Sequence, residues 1–277
     1  MSGSRWRLDL RSTSRENEIT YGPVQSRRLG CSLGINLTLF SHKTCTYDCV
    51  YCQYGRTLNR VTSPASIHGW ISPTVILNHV KKRLLELKTE GVKLDSITFS
   101  GYGEPTLYPD LKSLLLELGE IRDALYPKTP IRILTNSSLL HLRLVYEALT
   151  LFDFVIAKLD AGRQETFMGI NRPFMQLRLT DIVEKLAELQ KDTERVVIQT
   201  LIFKSTEPNR PDNFGFEEIS SIIDKIRIIE PIEIQLYTID RHPSEEYVTS
   251  LNLKELKLIS ERMNNELGKD LTKVYYA

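Results

Sequence analysis

The run Leu33-Gly-Ile-Asn-Leu-Thr-Leu39 and the segment after it, Ser41 to Gly55 with Cys45-Thr-Tyr-Asp-Cys49-Val-Tyr-Cys52 inside, decide the fold. An apolar, β-prone stretch passes straight into a polar loop bearing three cysteines. The same succession recurs. Further strand candidates are Ser96 to Ser100, Ile131 to Thr135, Phe154 to Leu159, Val196 to Phe203 and Ile232 to Thr238. Between them lie amphipathic stretches at Thr74–Lys88, Leu111–Leu125, Leu139–Leu149, Leu177–Gln190 and Phe216–Ile229, with a last one at Lys254–Leu267. Repeated strand–helix–strand units imply parallel strands joined by right-handed crossovers, hence an α/β fold. Whether the sheet is open and doubly wound or a barrel or partial barrel, ligands gather at the carboxyl ends of its strands. Gly101 to Pro105, Thr135, Asn136, Lys158 and Asp160 all follow or end strands, so they are expected to converge on one face.

The 277 residues carry 36 Lys and Arg against 35 Asp and Glu, a net charge of +1, so no field of one sign surrounds the protein. Dedicated non-specific binding to phosphate backbones is not expected from such a balance. With 41% hydrophobic and 26% charged residues the composition is that of an ordinary globular protein. No apolar run approaches the roughly 18 residues that span a bilayer, which predicts a soluble protein. Met1 to Arg15 holds Arg5, Arg7, Arg11 and Arg15 with no apolar block behind them, which does not read as a secretory signal. Four cysteines are too few for a disulfide framework, and three fall within Cys45–Cys52. A reducing, cytoplasmic compartment and a metal centre are expected. The expected partition is a flexible basic leader (1–20), one core (21–245) and a C-terminal helical extension packed on it (246–277).

Thiolates favour iron–sulfur clusters and zinc. Structural zinc takes four ligands, which here would call on His42 or Cys31 as the fourth. A [4Fe–4S] cube held by three cysteines instead leaves one iron able to chelate a small molecule through an amine and a carboxylate. Isolated free cysteines are often buried hydrophobes, a reading poorly suited to three in one short loop.

The cysteine loop, with Tyr51 before its last cysteine, and Ser100-Gly-Tyr-Gly-Glu-Pro105 together resemble the radical S-adenosylmethionine (radical SAM) superfamily. Tyr21-Gly-Pro-Val-Gln-Ser-Arg-Arg-Leu-Gly30, Tyr47 to Gly55, Gly103-Glu-Pro-Thr106, Lys158-Leu-Asp160, Asn171-Arg-Pro173 and Gln235-Leu-Tyr-Thr238, with Arg241 and Pro243, are similar to the branch related to the tRNA wyosine synthases, the Fe–S oxidoreductases. The resemblance implies a partial (βα)6 barrel, a [4Fe–4S] cluster on Cys45, Cys49 and Cys52, and S-adenosylmethionine (SAM) on the fourth iron. It implies an enzyme in which an electron, from a donor of the flavodoxin or ferredoxin type, cleaves SAM to a 5′-deoxyadenosyl radical that abstracts hydrogen from a substrate. The sequence leaves that substrate open among RNA, a peptide and a metabolite. A tRNA-modifying enzyme with one cluster and a non-catalytic zinc module are the alternatives.

Under this resemblance Gly101, Gly103 and Glu104 form the clamp for the SAM methionine group, glycine allowing close backbone approach and Glu104 supplying charge. Tyr51 packs beside the adenine or is an ordinary loop aromatic. Thr135, Asn136, Lys158 and Asp160 contact SAM or substrate, or else Asn136 and Asp160 cap the following helices. Gln199, Gln235, Tyr237 and Arg241 line the substrate side or are satisfied core polars. Cys31 reads as a small buried side chain and His42 as an exposed loop residue. Wyosine synthases carry by family pattern a second cluster on three further cysteines. Only Cys31 remains here once the first cluster takes three, so a single-cluster enzyme that does not build the wyosine base is expected. Arg5, Arg7, Arg11, Arg15, Arg27 and Arg28 form either a local basic patch that suits RNA or a solvated leader.

Overall fold

A computed structural model describes residues 19–276. The leader 1–20, with Arg5, Arg7, Arg11 and Arg15, lies outside them apart from its last two residues. In chain order the elements are β1 (Thr20–Ser26), β2 (Gly30–Ile35), β3 (Thr44–Cys45), β4 (Asn59–Arg60), α1 (Pro73–Thr89), β5 (Ser96–Phe99) and α2 (Leu111–Leu125). Then come β6 (Ile131–Thr135), α3 (Arg143–Leu149), β7 (Phe154–Lys158), α4 (Gln164–Ile170), α5 (Leu179–Thr193), β8 (Val196–Leu201) and β9 (Lys204–Ser205). The chain closes with α6 (Phe216–Ile229), β10 (Glu233–Tyr237), β11 (Val248–Thr249), α7 (Leu253–Leu267) and β12 (Thr272–Tyr275).

Eight strands form one open, curled sheet in the order β1-β2-β5-β6-β7-β8-β10-β12. All neighbours are parallel except β1 and β2, which form an antiparallel hairpin at one edge. This is the expected α/β partial barrel. Its six central strands are those read from the apolar runs, and two more lie outside them. Segment 246–277, expected as a helical extension, holds α7 and also β12, which pairs in parallel with β10 and lengthens the sheet.

Period-two alternation sorts the strands. Ile97, Phe99, Ile133, Val155, Ile198 and Leu236 are fully buried on the face that the helices cover. The helices supply the matching apolar rows, for instance Leu84 and Leu87 of α1, Leu186 and Leu189 of α5, and Ile222 and Ile226 of α6. Burying each such side chain contributes roughly 1.5–3 kcal/mol. The curl is visible in side-chain contacts. From the β1–β2 turn, Arg27 pairs with Asp240 and the Arg28 guanidinium lies 4.2 Å from the ring centre of Tyr237, although β2 and β10 are far apart in strand order.

Two strand ends differ from expectation. Strand β2 stops at Ile35 because the Asn36 side chain takes over, its Oδ1 accepting from the Thr38 N–H at 3.2 Å and the Thr38 hydroxyl at 3.1 Å. Leu37 and Leu39 are nonetheless buried, so the apolar run continues as a packed loop. Strand β8 ends at Leu201, after which Phe203 donates its N–H to Asn213 Oδ1 at 2.9 Å. No helix among the described residues is long and apolar enough to cross a membrane.

Candidate functional site

The carboxyl ends of β2, β5, β6, β7 and β8 gather the residues that the sequence singles out. The loop after β2 brings Cys45 into β3, whose partner is β4: Thr44 pairs with Asn59 and Cys45 with Arg60. From there the loop turns sharply, Cys52 N–H to Cys49 carbonyl at 3.1 Å and Gly55 N–H to Cys52 carbonyl at 3.1 Å. The end of α4 and the segment after it hold the loop by main-chain bonds. Asp48 N–H donates to the Asn171 carbonyl at 3.1 Å, Val50 N–H to the Ile170 carbonyl at 2.9 Å, and Phe174 N–H to the Thr46 carbonyl at 3.0 Å. A segment after β10 fastens the outer side. There Glu245 receives both Arg56 and Arg172, and its N–H donates to the Val50 carbonyl at 3.0 Å.

All three thiols lie near one cation, Lys43, which is only 4% exposed and donates to the Gly55 carbonyl at 2.9 Å. Burial by itself would lower the Lys43 ammonium, but the thiols of Cys52, Cys45 and Cys49 raise it. Burial pushes the Cys45 thiol up to about 12, with the nearby Glu104 charge adding to the shift, and the Cys49 thiol up to about 11. Two carboxamides aim N–H groups at sulfur: Asn136 Nδ2 lies 3.6 Å from Cys45 Sγ, and Asn171 Nδ2 lies 3.6 Å from Cys49 Sγ. Half-buried cysteines, with Cys45 and Cys49 held away from the thiolate form, a shared ammonium and N–H donors on sulfur suit an inorganic group whose positive metal draws off the protons. Among the described residues no three His, Cys, Asp or Glu side chains stand gathered as a site for one metal ion. A single zinc requires its thiolates about 2.3 Å from a common point, whereas thiolates that each meet a different iron need only face one cavity. The donor chemistry therefore fits the iron–sulfur reading.

The glycine loop after β5 joins the cysteine loop directly. Thr44 N–H donates to the Tyr102 carbonyl at 3.3 Å, and Glu104 N–H to the Thr44 carbonyl at 3.1 Å. A Cβ on Gly103 would overlap the Thr44 carbonyl oxygen, and one on Gly101 the Asn36 carboxamide, so both glycines are required by close approach. The Tyr102 carbonyl is thereby used inside the protein.

Glu104 is tied into the protein on every side. It is 2% exposed, and its carboxylate accepts four hydrogen bonds: from Thr106 N–H at 3.2 Å, the Thr106 hydroxyl at 2.7 Å, the Thr135 hydroxyl at 2.7 Å and Asn136 N–H at 2.8 Å. Burial raises its carboxyl and those bonds pull it back. It acts as a brace between the glycine loop and the end of β6. Thr135 and Asn136 complete the brace, with Asn136 Nδ2 also donating to the Thr46 hydroxyl at 2.8 Å. Helix capping is not what Asn136 and Asp160 do. Asn136 Oδ1 accepts from Ser138 N–H in the loop, well before α3, and Asp160 Oδ1 accepts from Leu201 N–H on β8 at 2.7 Å.

Lys158, at the end of β7, donates to Asp160 Oδ1 at 2.8 Å and to the Tyr237 hydroxyl at 2.7 Å. Burial would lower this ammonium, and Asp160 with Tyr237 keeps it raised. It stands between two rings, 4.7 Å from the Tyr237 centroid and 5.5 Å from that of Tyr51. The Tyr51 hydroxyl bonds Asp160 and receives Asn171 Nδ2 at 2.8 Å. A continuous polar chain thus runs from Cys49 through Asn171, Tyr51, Asp160 and Lys158 to Tyr237, then to Gln199 at 3.2 Å and on to Gln235 at 3.0 Å. Arg241 stays at the rim, donating to Gln53 Oε1 at 3.0 Å. Cys31 lies within β2 at its far end, next to Asp95, and is half-buried, away from the other three cysteines. His42 is exposed. Sequence reasoning missed Lys43, since nothing in Ser41-His-Lys43 announces a buried ammonium. Asn171 stood inside a quoted motif with no role attached.

The family model described as the radical SAM superfamily matches residues 40–174. The chain is 34% identical over 257 residues to the UPF0026 protein MJ1312 of Methanocaldococcus jannaschii, covering 92% of this chain and 74% of that protein. It is also 37% identical over 238 residues, 86% of this chain, to a protein of Brachyspira hyodysenteriae named GTPase Obg, but spans only 32% of that protein's length. Among solved structures, a radical SAM methyltransferase from Sphaerobacter thermophilus superposes with a TM-score of 0.62 at 12% identity, covering 89% of this chain and 66% of that one. TYW1 with a lysine–pyruvate adduct bound gives a TM-score of 0.60 at 15% identity, over 92% and 78% respectively. With the cysteine loop, the braced glycine loop and the curled parallel sheet in place, the chain belongs to the radical SAM superfamily and, within it, stands with the UPF0026 proteins.

Proposed function

We propose that this chain is a radical SAM enzyme that holds one [4Fe–4S] cluster on Cys45, Cys49 and Cys52 and binds SAM beside it. When bound and reduced by a flavodoxin- or ferredoxin-type donor, that pair supplies reductive cleavage of SAM to a 5′-deoxyadenosyl radical able to abstract hydrogen from a substrate. The observation that carries the reading is the set of three thiols around the buried Lys43, with Asn136 and Asn171 N–H groups 3.6 Å from two of the sulfurs. The protein's own groups have separable tasks. Lys43 offsets the negative charge of a thiolate-bound cluster in a site that excludes water. The pairing of Thr44 with the glycine loop joins the loop that would hold SAM to the loop that would hold the cluster. Glu104, Thr135 and Asn136 keep that loop in register, and Tyr51 with Lys158 and Asp160 forms the polar wall next to it.

Anaerobic reconstitution tests this. A brown protein containing iron and sulfide, which releases 5′-deoxyadenosine from SAM under a strong reductant, is the expected result. A colourless protein that keeps one zinc after the same treatment overturns it.

A further inference from the structure

The strand register defines a second surface, on the concave side of the curled sheet. Pairing of Thr98 with Arg132, of Lys158 with Gln199, of Gln199 with Gln235, of Gln235 with Lys273 and of Tyr237 with Tyr275 places all of these on the face that the helices do not cover. That face carries polar side chains on every central strand, with the apolar Phe154, Ile156 and Val197 between them. Its acids bond other groups: Asp160 holds Lys158, and Glu233 holds Lys273, while Glu233, Asp95 and Asp153 act on Arg132 only from beyond ion-pair distance. Two cations remain. Among the described residues neither Arg28 nor Arg132 has an ion pair. The Arg28 guanidinium rests 4.2 Å above the Tyr237 ring, and that of Arg132 lies 5.1 Å from the Phe154 ring centre. Arg132 Nε is buried with no hydrogen-bond partner, and burial lowers this guanidinium below its usual range. A desolvated guanidinium with no anion in contact is costly, and five N–H donors in a planar fork match an oxyanion. The place is distinct from the SAM end. Arg132 precedes Thr135 by three residues, so it lies roughly 10 Å deeper in the half-barrel than the braced loop.

We propose that the concave face is the chamber for a substrate carrying an oxyanion group, a carboxylate or a phosphate monoester, which Arg28 and Arg132 hold while the reacting carbon points toward the cysteine loop. The inference rests on the proposed radical SAM reading for the identity of the reacting end. The charge pair is a property of the chamber alone.

Calorimetric titration of the as-isolated protein, without SAM, with inorganic phosphate and separately with malonate tests it. Saturable binding of at least one anion is expected, weakened about tenfold or more by Arg28→Gln and by Arg132→Gln, each of which removes a charge-assisted hydrogen bond. Lys82→Gln, on the exposed side of α1, is expected to leave the affinity unchanged. Phosphate alone binding assigns a phosphate monoester, and malonate alone a carboxylate. Thermal melting of Arg132→Gln is expected no lower than that of the parent, because the charge removed makes no ion pair in the protein, and this separates anion binding from a structural role. Absence of saturation by either anion, or unchanged affinity in both arginine variants, overturns the proposal. The titration contains no SAM and does not depend on cluster content, so loss of cluster loading with intact anion binding refutes the enzyme reading alone.

Discussion

Replacing Glu104 by alanine separates two roles for one residue: a ligand for the SAM ammonium, as the motif suggests, or the brace that the structure shows. The carboxylate is 2% exposed and accepts from two main-chain N–H groups and two hydroxyls, at 2.7–3.2 Å. Alanine leaves the Thr106 and Asn136 N–H groups unpaired, at about 1–3 kcal/mol each, while the two hydroxyls can rotate to other acceptors. The expected loss is about 2–6 kcal/mol, a large share of the roughly 5–15 kcal/mol that holds a domain folded. Glutamine keeps an oxygen for Thr106 and Thr135 but turns an NH2 toward the Asn136 N–H, so its cost should be about 1–3 kcal/mol. Urea unfolding followed by far-ultraviolet circular dichroism measures both. Equilibrium dialysis of SAM against the reconstituted proteins supplies the second axis. If the alanine variant unfolds within about 1 kcal/mol of the parent yet binds SAM more than tenfold weaker, Glu104 is a ligand and the brace argument is wrong.

Cys45→Ala, Cys49→Ala and Cys52→Ala should each abolish cluster loading while Cys31→Ala, at the far end of β2, keeps it; iron and sulfide counts decide, and equal iron loss in Cys31→Ala overturns the ligand assignment. Gly103→Ala forces a methyl group into the Thr44 carbonyl, so it should lower both the unfolding midpoint and the iron content, and a variant with parental loading shows that the two loops need not touch. Asn171→Ala removes N–H donors from Cys49 and the Tyr51 hydroxyl; iron content should hold while the electron paramagnetic resonance spectrum of the reduced protein changes, and an identical spectrum counts against the contact. Iron content should match one cube per chain, and no conversion of methylguanosine-containing tRNA with pyruvate is expected; two cubes per chain or such conversion refutes the single-cluster reading.

The central strands were readable because burial on both sides writes itself as a short apolar run, as in Phe154 to Ala157. The edges were not. Strand β1 contains Gly22 and Pro23 and is tolerated only because one side of it needs no partner, and β12 is four residues long. Helix α4, at seven residues, is too short for a 3.6-residue period to show. At the site the difference is between identity and environment. Three cysteines in eight positions declare a metal centre by chemistry alone, since few other arrangements use so many soft ligands at once. Lys43 and Glu104 are ordinary charged residues whose meaning comes from being buried, as that of Arg132 comes from its buried Nε, and such burial depends on partners elsewhere in the chain: Gly55 for Lys43, Asn136 for Glu104, Phe154 for Arg132. Glu104 is the sharpest case. A buried carboxylate that accepts bonds from residues 31 and 32 positions downstream fixes the spacing between two strand ends, and it does so whatever ligand lies beyond it. The motif marks the place where SAM chemistry is expected because the loop must be rigid there, and rigidity is supplied by a residue whose charge is spent on its own backbone.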